Sequence, residues 1–247
     1  MGEEGVLHRI AAVVAGPSID SIVEAALETP AGIVELRLDT VEDDLEAVIE
    51  RVGRAILRLR GTGKRVIVTI RDSVEGGGFE GPPWVKEGIL RGLAVYRPDY
   101  IDVELRNPLA GRITGSLLEQ GIGVIASFHE LEGPMGLGEI ERVLGSVRRL
   151  ARSERVPRGG LIAKVVYRCR DPLDGIPSML AVAREGGGLV SFGLGGECGY
   201  TRLLAPLLGA PFTYAHASGK PLAPGQYSVS EVLELWRRLG VAWATTS

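Results

Sequence analysis

The chain has 247 residues, enough for one large core or two small ones, and its 45% hydrophobic and 24% charged residues are those of a soluble globular protein. A net charge of -3 with no long basic run gives no support to a nucleic-acid partner. The apolar stretches fall well short of a membrane span, and Met1-Gly2-Glu3-Glu4 lacks the basic start and apolar middle of a signal peptide, so no membrane partner and a cytoplasmic location are expected.

In chain order, apolar strands alternate with amphipathic segments. Arg9–Ala15 is the first predicted strand, and Ser18-Ile19-Asp20 caps a helix to about Glu28. Gly32–Leu38 is the second strand, with a helix over Asp43–Leu59; Arg65–Ile70 is the third, followed by the loop Glu75-Gly76-Gly77-Gly78 and a helix from Pro83 to Tyr96. Tyr100–Leu105 and Gly123–Phe128 are the fourth and fifth strands, with helices over Ala110–Glu119 and Leu137–Arg152. The sixth strand, Leu161–Val166, precedes a helix over Ile176–Glu185. Gly188–Phe192 is the seventh, after which Gly193-Leu194-Gly195-Gly196 opens a helix over Tyr200–Leu208; Pro211–Ala215 is the eighth, before a closing helix over Val229–Leu239. Eight strand–helix units in about 250 residues predict an α/β fold, a closed (β/α)8 TIM barrel forming a single domain over residues 1–247. An open doubly wound sheet would carry G-x-G-x-x-G after its first strand, where this chain has Gly16-Pro17-Ser18.

The sixth strand places Lys164 inside the β-branched run Leu161-Ile162-Ala163-Lys164-Val165-Val166. A strand of this kind is buried on both faces, and desolvation disfavours an ammonium there. Two readings follow: a neutral amine that forms an imine with a carbonyl substrate, or a structural lysine paired with an internal carboxylate. The other three lysines, Lys64, Lys86 and Lys220, sit beside glycines, prolines or charges and read as surface residues.

Alternate residues of a barrel strand point inward, and catalytic groups gather at the strands' carboxyl ends. Glu35, Arg37 and Asp39 share a face of the second strand, Thr69 and Arg71 of the third, Asp102 and Glu104 of the fourth, and Ser127 and His129 of the fifth. Each has a structural reading as well, with Glu35–Arg37 and Asp102–Arg71 as ion pairs plugging the barrel. Together with Lys164 they suggest imine chemistry in which His129, with a pKa near neutrality, moves a proton next to the iminium and Glu75 orients the imidazole. Arg71 and Arg202, placed at the mouth, would hold a substrate carboxylate. The Gly193–Gly196 loop is a partial candidate for a phosphate cradle.

These residues resemble the type I 3-dehydroquinate dehydratase family over essentially the whole chain. Glu35-Leu36-Arg37-Leu38-Asp39 is similar to its E-x-R-x-D, Arg71 with Glu75-Gly76-Gly77 to R…E-G-G, and Asp102-Val103-Glu104-Leu105 to D-[IV]-E-[LY]. Ser127-Phe128-His129 is similar to S-x-H, Lys164 falls at the Schiff-base position, and Ala223-Pro224-Gly225-Gln226 is similar to A-P-G-Q. The resemblance implies syn dehydration of 3-dehydroquinate to 3-dehydroshikimate in the shikimate pathway, with Lys164 as nucleophile, His129 as general acid and base, and Glu75 as its helper. It further implies Arg202 on the substrate carboxylate, Glu35, Arg37, Arg71 and Gln226 around the ring hydroxyls, no metal or organic cofactor, and a possible homodimer. The chain departs from the family's usual pattern at Phe192, where Met is frequent, at Thr201, and at Leu222, where a Ser would add a lid hydrogen bond to substrate. The stretch from His129 to Lys164 is long, which suggests a loop around Arg155–Gly160.

Leu222–Ser228 is a lid that orders on ligand binding in this reading. With only two cysteines, free thiols are the default, although Cys169 and Cys198 follow neighbouring strands at the same end and can approach disulfide range. Rival readings are a class I aldolase or transaldolase, and a catalytically silent barrel that binds a shikimate-pathway acid.

Overall fold

Eight β-branched runs form the strands Ile10–Val14 (β1), Ile33–Arg37 (β2), Arg65–Thr69 (β3), Tyr100–Glu104 (β4), Gly123–Glu130 (β5), Leu161–Arg168 (β6), Leu189–Leu194 (β7) and Thr213–His216 (β8). Nine helices accompany them among the described residues: Glu3–Leu7 (α1), Ile19–Glu28 (α2), Ile49–Gly61 (α3), Pro83–Ala94 (α4), Ala110–Glu119 (α5), Leu137–Ala151 (α6), Ile176–Glu185 (α7), Gly199–Leu204 (α8) and Val229–Arg238 (α9). The computed structural model describes residues 3–45, 47–151, 159–217, 219 and 221–241; most of the expected loop around Arg155–Gly160, the helix end at Arg152 and Lys220 lie outside them. No helix among the described residues is long and apolar enough to cross a membrane.

All strand pairs are parallel, in the spatial order β7-β6-β5-β4-β3-β2-β1-β8. The barrel expected from the alternation is therefore present, and closed except at one line. β7 and β8 share no ladder among the described residues, and there the rings of Phe192 and Tyr214 meet at 6.0 Å between centroids.

Two apolar layers follow from the period-two alternation. Ala11, Val13, Ile33, Ile67, Ile125 and Ile162 fill the barrel interior with Phe192, Phe212 and Tyr214. The opposite faces, such as Val34 and Leu36 or Val66 and Val68, pack against the helices in a larger cluster. Ser18 and Ser228 cap α2 and α9 in capping boxes, so both helices start where their sequences place them.

Several boundaries differ from expectation. α3 begins at Ile49 rather than Asp43, because the Val41 and Glu42 amides donate to Leu38 and Pro17 and tie that segment to the strand ends. β5 and β6 each run two residues further, sustained by their mutual pairing up to Glu130–Tyr167. α8 stops at Leu204 because Pro206 has no amide to continue the ladder, leaving a 3₁₀ turn over Ala205–Leu208. α1 was not anticipated. Lys86 is a correction: it is buried on α4, where its ammonium pairs with Glu104 and Asp72 instead of facing solvent.

Candidate active site

The inward positions change character along each strand, from Ile33 to Glu35 and Arg37 on β2, from Ile125 to Ser127 and His129 on β5, and from Ile162 to Lys164 on β6. An apolar floor thus supports a charged layer at the carboxyl ends, as a barrel places its chemistry. Ser127 is level with Lys164, and His129 lies two residues beyond it on the same face.

All eight residues expected at the site line one cavity of about 220 Å³: Glu35, Arg37, Arg71, Glu75, His129, Lys164, Arg202 and Gln226. Lys164 is 5% exposed, and its Nζ lies 3.2 Å from Asp102 Oδ2 and 3.4 Å from Glu35 Oε1, and 4.3 Å from the centre of the Tyr214 ring. Both open readings of the lysine are therefore represented in its geometry, since an amine that faces a cavity also has internal carboxylates beside it.

Glu75 arrives on a tight turn after β3. The turn needs glycine at Gly77, where a Cβ would stand 2.1 Å from the Arg71 carbonyl oxygen. Glu75 Oε2 accepts from the His129 backbone amide at 3.1 Å and faces His129 Nδ1 at 2.8 Å. With Nδ1 carrying the proton towards that carboxylate, Nε2 is the basic atom. Burial, then the nearby Arg71, Lys164, Arg37 and Arg106, push the imidazolium well below the ordinary histidine pKa, in contrast to the near-neutral value expected from sequence. Burial raises the Glu75 carboxyl to about 7 against the opposing pull of Arg71.

Arg71 is buried in the wall rather than at the mouth. Its Nη2 donates to Asp102 Oδ2 at 2.7 Å, and its Nη1 to Ser127 Oγ at 2.8 Å with Glu104 Oε1 3.0 Å away. These anions hold Arg71 charged, and Arg71 and Lys164 hold the Asp102 carboxyl far below the usual range despite its burial. The expected Asp102–Arg71 pair is present, but Arg37 pairs with Asp39, not Glu35, donating from Nε and Nη2 at 2.9 and 2.8 Å. Glu35 instead accepts from Thr69 Oγ1 at 2.8 Å.

Arg202 is also deep, at 2% exposed, with its guanidinium 3.9 Å from the Phe192 ring centre. Its Nε has no hydrogen-bond partner, and among the described residues it forms no ion pair within 4 Å. Burial lowers its pKa to about 9, with Glu35 acting weakly in the other direction. A buried, unpartnered guanidinium beside a cavity is a site for an anion.

The Leu222–Ser228 segment closes over this cavity. Gly195 N–H donates to Pro224 O at 3.1 Å, and Leu222 N–H to Gln226 Oε1 at 3.0 Å. At Gly225, with φ of 74°, a Cβ would lie 2.2 Å from the Gly195 carbonyl oxygen, so only glycine permits this approach. Within the suggested phosphate cradle Gly193–Gly196, the Gly193 and Gly195 amides already donate internally, to Thr201 Oγ1 and Pro224 O. Cys169 and Cys198 are joined in a disulfide rather than free.

The profile of the family described as Type I 3-dehydroquinase matches residues 10–242. The chain belongs to the type I 3-dehydroquinase family. Membership makes it an enzyme of the hydro-lyase class. A 3-dehydroquinate dehydratase of Thermococcus gammatolerans is 30% identical over 226 residues, covering 92% of this chain and 96% of its own. The Aquifex aeolicus 3-dehydroquinate dehydratase structure superposes with a TM-score of 0.76 at 25% identity, covering 93% and 97% of the two chains. That of Geobacillus kaustophilus gives 0.80 at 22% identity over 94% and 90%, a likeness in fold.

Within this candidate site of the 3-dehydroquinase chain, three groups were not singled out from sequence. Tyr214 packs its ring on Lys164, and Arg106 bonds the His129 carbonyl and Glu130. Lys86 braces Glu104 from outside the barrel. The signal for Tyr214 was the period-two phase of β8; Arg106 and Lys86 carry none, since each reaches the site from a loop or an outer helix.

Proposed function

We propose that the chain dehydrates 3-dehydroquinate to 3-dehydroshikimate through an imine on Lys164, with the whole chain acting as one catalytic domain. The observation that carries the reading is a buried amine and a buried imidazole on adjacent strands, facing one cavity that also holds an anion-free arginine. The Lys164 amine adds to the ring ketone, and the resulting carbinolamine loses water to give an iminium ion. His129 Nε2 takes a proton from the carbon next to the iminium, and the electron pair becomes an enamine. The imidazolium then returns its proton to the hydroxyl one carbon further on, which leaves as water when the enamine collapses. Hydrolysis of the product imine restores the lysine, so the sum is loss of one water. Using one imidazole for both transfers requires proton and hydroxyl to leave from the same face, which is syn elimination.

Glu75 fixes the imidazole in the Nδ1–H form and stabilises its charged intermediate. Arg202 binds the ring carboxylate; Glu35, Arg37 and Gln226 face the hydroxyls. Arg71 keeps most of its donors on Asp102, Ser127 and Glu104, so it acts more on those groups than on the ring. The steps use no metal and no organic cofactor. Borohydride reduction with 3-dehydroquinate, followed by intact mass and peptide mapping, tests the reading. A ligand adduct confined to the Lys164 peptide is expected; detectable binding without an adduct would overturn it.

A further inference from the structure

Lys86 is a buried ammonium that the reaction steps leave unused. It is 1% exposed and reaches from α4, outside the barrel, to Glu104 and to Asp72 Oδ1 at 3.0 Å, with the Phe79 ring centre 5.7 Å away. Burying an ammonium so fully is unfavourable unless its partners are held in return. Each partner is joined to the machinery. Glu104 Oε1 accepts from the Asp72 amide at 2.9 Å and lies 3.0 Å from Arg71 Nη1. Asp72 and Phe79 close the two ends of the loop that carries Glu75, through Ser73 N–H to Phe79 O at 2.9 Å and Phe79 N–H to Arg71 O at 3.0 Å. Inside that loop the Glu75 and Gly77 amides both donate to Asp72 O, at 3.0 and 2.9 Å. Lys86 therefore meets both ends of the loop and the carboxylate beneath Arg71, while touching neither Glu75 nor Arg71 itself.

We propose that Lys86 is a positioning residue for the dehydration, clamping Glu104, Asp72 and Phe79 so that Glu75 is held against His129 and Arg71 against Asp102. The proposal rests on the assignment of Glu75 and His129 to proton transfer. Lys164 stands on a different strand with its own ladder and meets the clamped groups only through Asp102 Oδ2, 3.2 Å from its Nζ, so adduct formation should persist where proton transfer suffers. A brace that only fastens α4 to β4 would change unfolding and leave turnover alone.

The test measures kcat and KM for 3-dehydroquinate, and borohydride trapping at Lys164, in Lys86→Met, Lys86→Arg and Asp72→Asn. Lys86→Met should lower kcat by about 10- to 100-fold, the range for small misplacements of catalytic groups. KM should stay within about two-fold, because Arg202 and the cavity walls are not contacted, and the Lys164 adduct should still form. Lys86→Arg, which keeps the cation, should recover most of kcat. Asp72→Asn, which leaves the Lys86–Glu104 pair in place, should lower kcat several-fold. Unchanged kcat in Lys86→Met, or, if that variant does not fold, unchanged kcat in Asp72→Asn, would overturn the proposal. Absence of both turnover and adduct in the unaltered protein would strike the functional reading instead.

Discussion

Replacing Arg202 with methionine should stabilise the protein while crippling it. The guanidinium is 2% exposed, has an unsatisfied Nε and forms no ion pair within 4 Å among the described residues. Its pKa is lowered to about 9, chiefly through burial. At about 1.4 kcal/mol per pKa unit, keeping it charged at neutral pH opposes folding by up to roughly 5 kcal/mol. Methionine removes that term and retains the stack on Phe192 as a sulfur–aromatic contact. It also forfeits part of the packing, so a net gain of about 1–3 kcal/mol is expected, or roughly 3–10 °C in Tm for a chain of this size. Against this, the lost charge-assisted contact to a substrate carboxylate should lower kcat/KM by about 30- to 1000-fold, equivalent to roughly 2–4 kcal/mol. Thermal unfolding and steady-state kinetics on the same preparations measure both signs. A lower Tm together with near-normal kcat/KM would show that Arg202 is a structural cation with a partner after all, and would refute the reasoning.

Glu75→Gln should lower kcat by about 10²- to 10⁴-fold with little change in adduct formation, because an amide no longer favours the Nδ1–H imidazole; a loss under three-fold would count against Glu75 as the orienting group. The His129 imidazolium is pushed below the ordinary 6.5, so the unfolded chain binds more protons and this contribution to stability is present above about pH 6.5 and fades as pH falls through the depressed value. Glu75, raised to about 7, acts oppositely, losing stability as pH rises from its unfolded value through 7. Urea unfolding of the unaltered protein and of His129→Gln should therefore converge as pH falls from 7.5 to 5; parallel curves would exclude the histidine contribution. The Cys169–Cys198 bridge spans 29 residues, and its loss in a double serine variant should destabilise by about 3 kcal/mol in denaturant. Two thiols titrating in the untreated native protein would end that expectation.

The barrel was legible because its signal repeats. Each β-branched run had a helix after it, and period-two phase carried Glu35, Ser127, His129 and Lys164 to one face without any tertiary information. Helix starts were legible where a serine caps them, as at Ser18 and Ser228, and failed at Asp43, where the competing bond from Glu42 to Pro17 lies across the chain. Side-chain partners were much less legible. Glu35 and Arg37 look like a pair on the strand, yet Asp39 on the following turn offers the guanidinium a two-point match. Lys86 looked exposed because a charge and a glycine, Glu87 and Gly88, follow it in sequence, whereas its neighbours in space are Glu104 and Asp72. The depth of Arg202, and hence its depressed pKa, depends on how α8 seats behind Phe192, which no local pattern encodes.

Because β7 and β8 share no ladder among the described residues, one seam of the cavity wall is held by side chains alone. His129 and Lys164 stand on β5 and β6, whose pairing runs unbroken from Val124–Leu161 to Glu130–Tyr167, so the spacing of their backbones changes only if backbone hydrogen bonds break. Across the open line, the gap between Phe192 and Tyr214 is set by two tilted rings, which slide at far smaller penalty. Arg202 stands on the Lys164 side of that line, over Phe192, whose strand pairs with β6 as far as Arg168–Leu194. Changes in the ring acid accommodated should therefore concentrate at Phe192 and Tyr214, the two sides of that line, of which Tyr214 also touches Lys164, while the ladder between β5 and β6 fixes the backbone under His129 and Lys164.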